Sequence, residues 1–180
     1  GRIKNAFQSG TPYKVLLLHE NIGHLALYKT GLFKLFRSSY FAYTDSDLEI
    51  CKECPDDFME KFIKLLKSDP RVVKVGFSLR IDDIPDHYAN KKEVIEWESQ
   101  FWKKEVRKGV YNAPVDTTFS VHKPWYPGGW CRFKDRHYRV GPPYVMRHLP
   151  WYLDAENLSD EDKYYLENIK TVTHWSDKNK

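Results

Sequence analysis

The sequence lacks a long apolar run and a recognisable secretory leader. Its longest aliphatic stretch extends only from Val15 to Leu18, whereas a membrane-spanning helix needs about 20 consecutive apolar residues. No basic start followed by an apolar segment and a small-residue cleavage site is visible at the beginning. We therefore expect a cytoplasmic protein without a membrane span, and 180 residues are enough for one domain with a buried core.

The sequence also lacks a strong excess of charge of either sign. It has 29 lysine and arginine residues against 25 aspartate and glutamate residues, so the net charge is only +4, and no dense basic patch is present. Nucleic-acid-binding proteins normally carry such a patch, and we expect no nucleic-acid partner. The mild positive charge is compatible with an anionic substrate and with peripheral association at an acidic membrane surface.

Cysteine is scarce, whereas aromatic residues are abundant. Cys51 and Cys54 have the spacing of half a zinc site, but no second pair follows, and the remaining cysteine is Cys131. We expect three reduced thiols without a major role. Aromatic residues make up 16% of the chain, and although most of them should pack in the core, aromatic rings also stack on sugars and bases.

The first half of the chain alternates segments typical of strands and of helices. Residues 13–19, 40–45 and 72–77 are predicted strands, because each is a short apolar run bounded by polar or turn residues. Residues 24–36 and 55–67 have apolar side chains at helical spacing. This order predicts an α/β fold with a mixed, mainly parallel central sheet flanked by helices.

The second half of the chain predicts a more irregular region. Residues 90–106 have the periodicity of a helix with Val94, Trp97 and Phe101 on one face, and residues 117–122 alternate as in an antiparallel strand. Residues 124–135 contain Pro-Gly-Gly and two tryptophans, which predicts a long surface loop. A last helix is predicted after a cap at Ser159. No linker divides the chain, so we expect a single domain over residues 1–180.

Two carboxylates follow the predicted aromatic strand in Asp45-Ser46-Asp47. In an extended segment, positions 45 and 47 point to the same side, and open α/β sheets bind ligands where their strands end. Paired carboxylates suit Mg²⁺ or Mn²⁺, which proteins commonly share with substrate phosphates. The alternative interpretation is an acidic turn that only caps the next segment.

The order of these motifs resembles that of GT-A nucleotide-sugar glycosyltransferases, in particular bacterial and viral enzymes that build surface polysaccharides. In that class a strand is followed by an Asn-x-Gly turn, a helix and a strand ending in Asp-x-Asp, as at Asn21-Ile22-Gly23 and Asp45-Ser46-Asp47 here. GT-A domains usually begin with a further strand–helix–strand unit that holds the nucleotide, and this chain shows at most its tail in residues 1–10. Three later segments are also similar to the class: Gly76-Phe77-Ser78-Leu79-Arg80, Ala113-Pro114-Val115-Asp116-Thr117-Thr118-Phe119 and Arg147-His148-Leu149-Pro150-Trp151-Tyr152.

The resemblance implies a nucleotide-sugar donor, a glycan or polysaccharide acceptor, and Mn²⁺ or Mg²⁺ as cofactor. Residues 1–80 would form the donor- and metal-binding part, and residues 81–180 the acceptor-side part. Asp47 would be the direct metal ligand, with Asp45 on the ribose or on a metal-bound water. Asn21 and Gly23 would contact the donor. His148 would be a further metal ligand, with His174 as the weaker candidate, unless His148 merely packs on Trp151.

An inverting transfer needs a general base for the acceptor hydroxyl, and a partly buried carboxylate suits that role. Asp116 is the first candidate, because it lies between an apolar segment and a predicted strand. Asp82 and Asp83, in the loop after the third predicted strand, are the competitors. All three could instead cap turns or pair with Arg80, and a retaining enzyme would need no such base.

Two other functions remain open at the level of sequence. A nucleotidyltransferase would also present paired acids to a metal and phosphates, but the glycine-rich basic loop of those enzymes is not visible near the start. A partial or degenerate GT-A-like domain would bind a glycan or a partner without catalysis, and the missing first unit favours that reading.

Overall fold

A seven-stranded sheet forms the centre of the computed structural model, which describes residues 4–6, 15–20, 22–116, 118–126, 135–154, 158–160 and 163–164. Strands β1 and β2 form a separate two-stranded sheet. The strands in this part of the chain are β1 Lys4–Ala6, β2 Val15–Leu17, β3 Phe41–Tyr43, β4 Leu48–Ile50, β5 Val72–Leu79, β6 Glu105–Arg107, β7 Val110–Asn112, β8 Ser120–His122 and β9 Arg136–His148. The helices are α1 Ala26–Lys29, α2 Phe33–Phe36, α3 Phe58–Ser68 and α4 Lys91–Ser99, with 3₁₀ turns at Gln100–Trp102 and Leu149–Tyr152.

The fold is mixed α/β, as predicted, but the sheet is mostly antiparallel. The strand order is β3-β8-β5-β9-β7-β6, and β4 pairs with the C-terminal part of β9. Among the described strands only β5 and β9 pair in parallel. The expectation of a mainly parallel sheet therefore fails. Strands β3 and β5 do run in the same direction, but the antiparallel strand β8 from the second half of the chain inserts between them.

The two parts of the chain contribute to one sheet. Strands β3, β4 and β5 come from residues 1–80, and β6 to β9 come from residues 81–180. Because β8 and β9 flank β5 on either side, the two parts interleave. Among the described residues no helix is both long enough and apolar enough to cross a membrane.

The predicted elements around residues 55–79 are confirmed. Helix α3 ends at Ser68, before the Asp69-Pro70 break, and buries Phe62, Leu65 and Leu66. Strand β5 is buried at every position and extends to Leu79. The predicted helix over residues 24–36 forms as two short helices, because Gly31 between them adopts a positive φ of 73°.

Three elements of the second half differ from the sequence expectation. The helix predicted to residue 106 ends in the turn at Gln100–Trp102, and β6 and β7 then form a hairpin through Gly109, whose φ is 68°. The buried residues of α4 are Val94 and Glu98, while Trp97, predicted on the buried face, is 45% exposed. The antiparallel strand predicted near residues 117–122 is confirmed as β8.

Strand β9 was not predicted at all. It contains Gly141-Pro142-Pro143, which reads as a turn, and the sheet accommodates this segment as a bulge. The register with β5 moves from Phe77 opposite Val140 to Ser78 opposite Val145. The tip of the predicted loop (residues 127–134) and most of the predicted last helix lie outside the described residues.

The sheet has two chemically different buried faces. The apolar face packs on α3, where the Phe62 and Phe77 rings lie 4.8 Å apart; it consists of Val75, Phe77, Leu79, Val121, Tyr138 and Val140. The polar face is turned the other way, as the alternation of side chains along a strand requires. It consists of Lys74, Ser78, Ser120, His122, His137 and Arg139, and all six are buried.

Candidate functional site

Most of the candidate residues lie at one edge of the sheet, which we call the rim. Strands β3 and β5 both run antiparallel to β8, and β9 runs parallel to β5, so β3, β5 and β9 all end at the rim. Strand β4 runs antiparallel to β9 and begins there. The rim therefore carries Asp45 after β3, Asp47 before β4 and His148 at the end of β9.

Asp47 and His148 are brought together by the pairing of β4 with β9. Leu48 lies opposite His148 in the register, and the Leu149 amide donates a hydrogen bond to the Asp47 carbonyl at 2.9 Å. The Asp47 Oδ2 and His148 Nε2 atoms are 3.4 Å apart. The hydrogen bond from His148 holds the pKa of Asp47 below its usual value, although burial opposes that shift.

Each side chain of this pair retains a buried polar atom with no hydrogen-bond partner among the described residues. These atoms are Asp47 Oδ1 and His148 Nδ1. The imidazole also contacts the Trp151 ring, with 4.8 Å between ring centres. The packing on Trp151 that the sequence offered as the alternative is therefore present as well, and it fixes the orientation of the imidazole.

The Asp47 carboxylate suits Mn²⁺ or Mg²⁺, and the imidazole of His148 is a ligand of transition-metal ions. The two side chains would hold such an ion through the carboxylate and a ring nitrogen that carries no proton. The described residues contain no group of three or more His, Cys, Asp or Glu side chains arranged for a metal. Such an ion would therefore need further oxygen ligands, which substrate phosphates and water commonly supply.

The two predicted donor motifs are linked by Tyr43. Its hydroxyl donates to the His24 carbonyl at 2.7 Å, so the turn containing Gly23 is attached to the strand that leads to Asp45. Gly23 has a φ of 73°, and its carbonyl accepts the first hydrogen bond of α1, from Ala26. Burial, assisted by the nearby charge of Asp45, raises the pKa of Tyr43. Asn21 lies outside the described residues.

The loop of residues 113–116, which ends at Asp116, is held by the polar face. Lys74 Nζ donates to the Val115 carbonyl at 2.7 Å and also to the Asp116 carbonyl. Arg139 Nε donates to the Pro114 carbonyl at 2.7 Å, and His137 Nδ1 accepts the Val115 amide at 3.3 Å. The main chain of this loop is therefore fixed by three buried side chains.

The Asp116 side chain itself is exposed, so the partial burial that the sequence led us to expect of this candidate base is not found. Its Oδ1 accepts the Thr118 amide at 3.2 Å, which is the turn-capping contact that the sequence offered as the alternative role. The loop lies directly on β5, because a Cβ atom added at Gly76 would come 2.9 Å from Val115 Cγ1 and 2.6 Å from the Phe119 carbonyl oxygen. Glycine is required at that position for the close approach.

Glu98 and Arg139 form a buried ion pair that sequence reasoning missed. Arg139 Nη1 lies 2.7 Å from Glu98 Oε2, and the two side chains are 1% and 4% exposed. Burial raises the pKa of Glu98, while the Arg139 charge opposes the shift. The available signal was a glutamate four residues after Val94 on the buried stripe of α4.

Asp82 and Asp83 differ in their surroundings. The exposed Asp82 carboxylate pairs with Arg80 Nε at 3.0 Å. Asp83 accepts hydrogen bonds from Arg147 Nε at 2.8 Å and from the Tyr152 hydroxyl at 2.5 Å. Burial would raise the pKa of Asp83, but the bonds from Tyr152 and Arg147 outweigh it and hold that pKa below its usual value. Asp83 thereby connects the end of β5 to the end of β9.

Comparison with known proteins gives no relative from which a function could be transferred. No protein-family model matches the chain, and no curated protein and no solved structure matches it significantly.

Proposed function

We propose that the protein is a cytoplasmic, metal-dependent glycosyltransferase of the GT-A type. It would move a sugar from a nucleotide-sugar donor to a glycan or polysaccharide acceptor with inversion at the anomeric carbon. The observation that carries the proposal is the 3.4 Å approach of Asp47 to His148 at the rim. These residues are far apart in the sequence, both are of metal-ligating type, and a bound ion would replace the hydrogen bond that joins them.

In this proposal, Asp47 and His148 would hold Mn²⁺ or Mg²⁺, and the ion they hold would supply the positive charge that stabilises the departing nucleoside diphosphate. Asp45 lies on the same rim, beside the turn at Gly23 that Tyr43 anchors. This position supports assigning Asp45 to the ribose of the donor, or to a metal-bound water.

Asp116 is the best supported of the three candidate bases. Its exposed carboxylate can reach an acceptor, while Lys74 and two other side chains of the polar face hold the main chain of its loop. In the reaction its carboxylate accepts the proton of the acceptor hydroxyl as that oxygen attacks the anomeric carbon, and the bond to the nucleoside diphosphate breaks on the opposite face. Asp83 is less suited, because Tyr152 and Arg147 occupy its oxygens. Asp82 is the remaining competitor.

Nucleotide release from a panel of nucleotide sugars, with and without Mn²⁺, tests the proposal. We expect release with at least one donor to depend on Mn²⁺ and to fall by about 100-fold or more in Asp47→Ala, because a metal ligand is lost. Glu49→Gln is the matched control, since Glu49 lies nearby on β4 with its side chain 54% exposed. Absence of Mn²⁺-dependent release with every donor, or equal release by Asp47→Ala, would contradict the proposal.

The role of Asp116 is tested in the same assay by Asp116→Asn. We expect transfer to the acceptor to fall by about 100-fold or more, because general-base catalysis contributes that much. Donor binding should stay unchanged, since Asp116 is assigned to the acceptor side. Transfer near the wild-type rate would exclude Asp116 as the base and leave Asp82 as the candidate.

A further inference from the structure

A cavity of about 430 Å³ lies beside the rim, apart from the Asp47–His148 pair. Its volume falls within the roughly 300–1,000 Å³ typical of small-molecule sites. The end of β5, the bulge of β9 and the 3₁₀ turn after α4 surround it. The side chains that matter for recognition are Glu53, Arg80, Asp82, Trp102, Pro142 and Pro143.

One wall of the cavity is a fixed apolar surface. The Trp102 ring packs edge-on against Tyr111, with 5.3 Å between ring centres. The ring also lies against Gly141, where an added Cβ atom would lie 3.1 Å from Trp102 Cζ3. Pro142 and Pro143 belong to the bulge of β9 and expose their rings. This wall offers an indole and two pyrrolidine rings to the C–H face of a ligand.

The charged side chains that line the cavity carry more negative than positive charge. Arg80 pairs with Asp82 at 3.0 Å and with Glu53 at 3.5 Å. The two carboxylate side chains are 75% and 65% exposed, respectively, so each can accept further hydrogen bonds from a ligand. Two carboxylates against one guanidinium disfavour a phosphate, and therefore disfavour the diphosphate part of a nucleotide sugar.

We propose that this cavity binds a neutral sugar ring of the acceptor glycan. A sugar ring presents an apolar C–H face, which suits Trp102, and hydroxyl groups around its edge, which suit Glu53 and Asp82. This inference rests on the proposed function only in assigning the sugar to the acceptor. The binding of a sugar ring by this cavity does not depend on transferase activity. Val145 also lines the cavity, three residues before His148 on β9, which corresponds to about 10 Å of strand. The bound ring would lie about one to two sugar units from the Asp47–His148 pair.

Binding of methyl glycosides, without donor and without metal, tests the inference. Protein with ¹⁵N-labelled tryptophan is titrated with the methyl glycosides of glucose, galactose, mannose, N-acetylglucosamine, rhamnose and fucose. We expect a saturable shift of the Trp102 indole N–H signal with at least one of them, and none at the exposed Trp97. Affinity measured by saturation-transfer NMR should fall about tenfold or more in Trp102→Leu and in Glu53→Gln/Asp82→Asn, and should be unchanged in Trp97→Leu.

The outcomes separate this inference from the proposed function. If no glycoside binds, or if binding persists in both cavity variants, the cavity inference is overturned, whatever nucleotide release shows. If a glycoside binds in the cavity, the site is supported even where nucleotide release fails and the transferase proposal falls. Should Trp102→Leu not fold, Glu53→Gln/Asp82→Asn decides alone, since both side chains are exposed.

Discussion

The two faces of the central sheet are buried to a similar degree but differ in what their side chains contact. On the apolar face, Phe77 packs against Phe62 of α3 at 4.8 Å. On the polar face, Lys74 and Arg139 direct their charges at the main chain of residues 113–116. The apolar face holds a helix in place, whereas the polar face holds the loop that ends in Asp116.

A contribution to stability alone does not explain why the polar face buries charged side chains. Buried charges lose hydration, and well-packed apolar residues of similar volume are often equally stable or more so. Arg139 is 1% exposed and Lys74 is 4% exposed, so both lose nearly all contact with water. A functional site that needs the loop of residues 113–116 in one position would explain these buried charges, because Lys74 and Arg139 hold that loop through directional hydrogen bonds.

The largest expected effect that separates the two faces comes from Arg139→Met. It should lower the free energy of unfolding by about 3–5 kcal/mol, because Glu98 remains buried without its partner. Adding Glu98→Met should restore most of that stability, while transfer stays impaired because the Pro114 carbonyl has lost its donor. Urea unfolding and the transfer assay measure the two effects.

Phe62→Ala on the apolar face is the matched comparison. It should cost a similar 3–5 kcal/mol through the cavity it leaves, with unchanged transfer per folded molecule. If the Arg139→Met/Glu98→Met variant transferred sugar at the wild-type rate, the polar face would be structural only.

A smaller expected effect is a loss of stability at acidic pH, which arises from the two histidines of the polar face. Burial, with the charge of Lys74 adding, lowers the pKa of His137 to about 3 and that of His122 to about 2. His137 Nδ1 is occupied as an acceptor for the Val115 amide, which requires the neutral ring. Between pH 6.5 and about 3 the unfolded chain therefore binds more protons than the folded chain, so stability falls as the pH falls.

At pH 5 the free energy of unfolding is therefore lower by about 2 kcal/mol for each of the two histidines. Urea unfolding of the wild type and of His137→Asn at pH 7 and pH 5 measures the difference. The variant should lose about 2 kcal/mol less than the wild type on acidification, and His87→Asn at an exposed position should behave as the wild type does. If His137→Asn and the wild type lost the same free energy of unfolding between pH 7 and pH 5, the low pKa of His137 in the folded protein would be contradicted.

Sequence reasoning succeeded where local pattern and tertiary structure agree. The apolar stripe of α3 and the aliphatic run of β5 each have the pattern of the element they form. The predicted bounds of both elements agree closely with those in the structure. It failed at β9, because Arg136–His148 mixes charged residues with Gly-Pro-Pro, and the buried charge of Arg139 is compensated by partners elsewhere in the chain. Strand β4 has only three residues, too few for a pattern.

These failures also explain which parts of the site could be predicted. The Asp47–His148 pair was expected from the resemblance alone, and the strand pairing that creates it was not foreseen. Glu98, Arg139 and Lys74 were missed because their roles depend on the placement of β9 and of the loop over residues 113–116.

The metal site at the rim is tested by Mn²⁺ binding, followed by electron paramagnetic resonance in the presence of UDP, GDP or CDP. We expect the wild type and Glu49→Gln to bind the ion with one of these nucleotides at equal affinity. Asp47→Asn and His148→Gln should each weaken binding by about tenfold to 100-fold. Equal affinity in all four proteins, or no Mn²⁺ binding with any of the three nucleotides, would contradict a metal site at the rim.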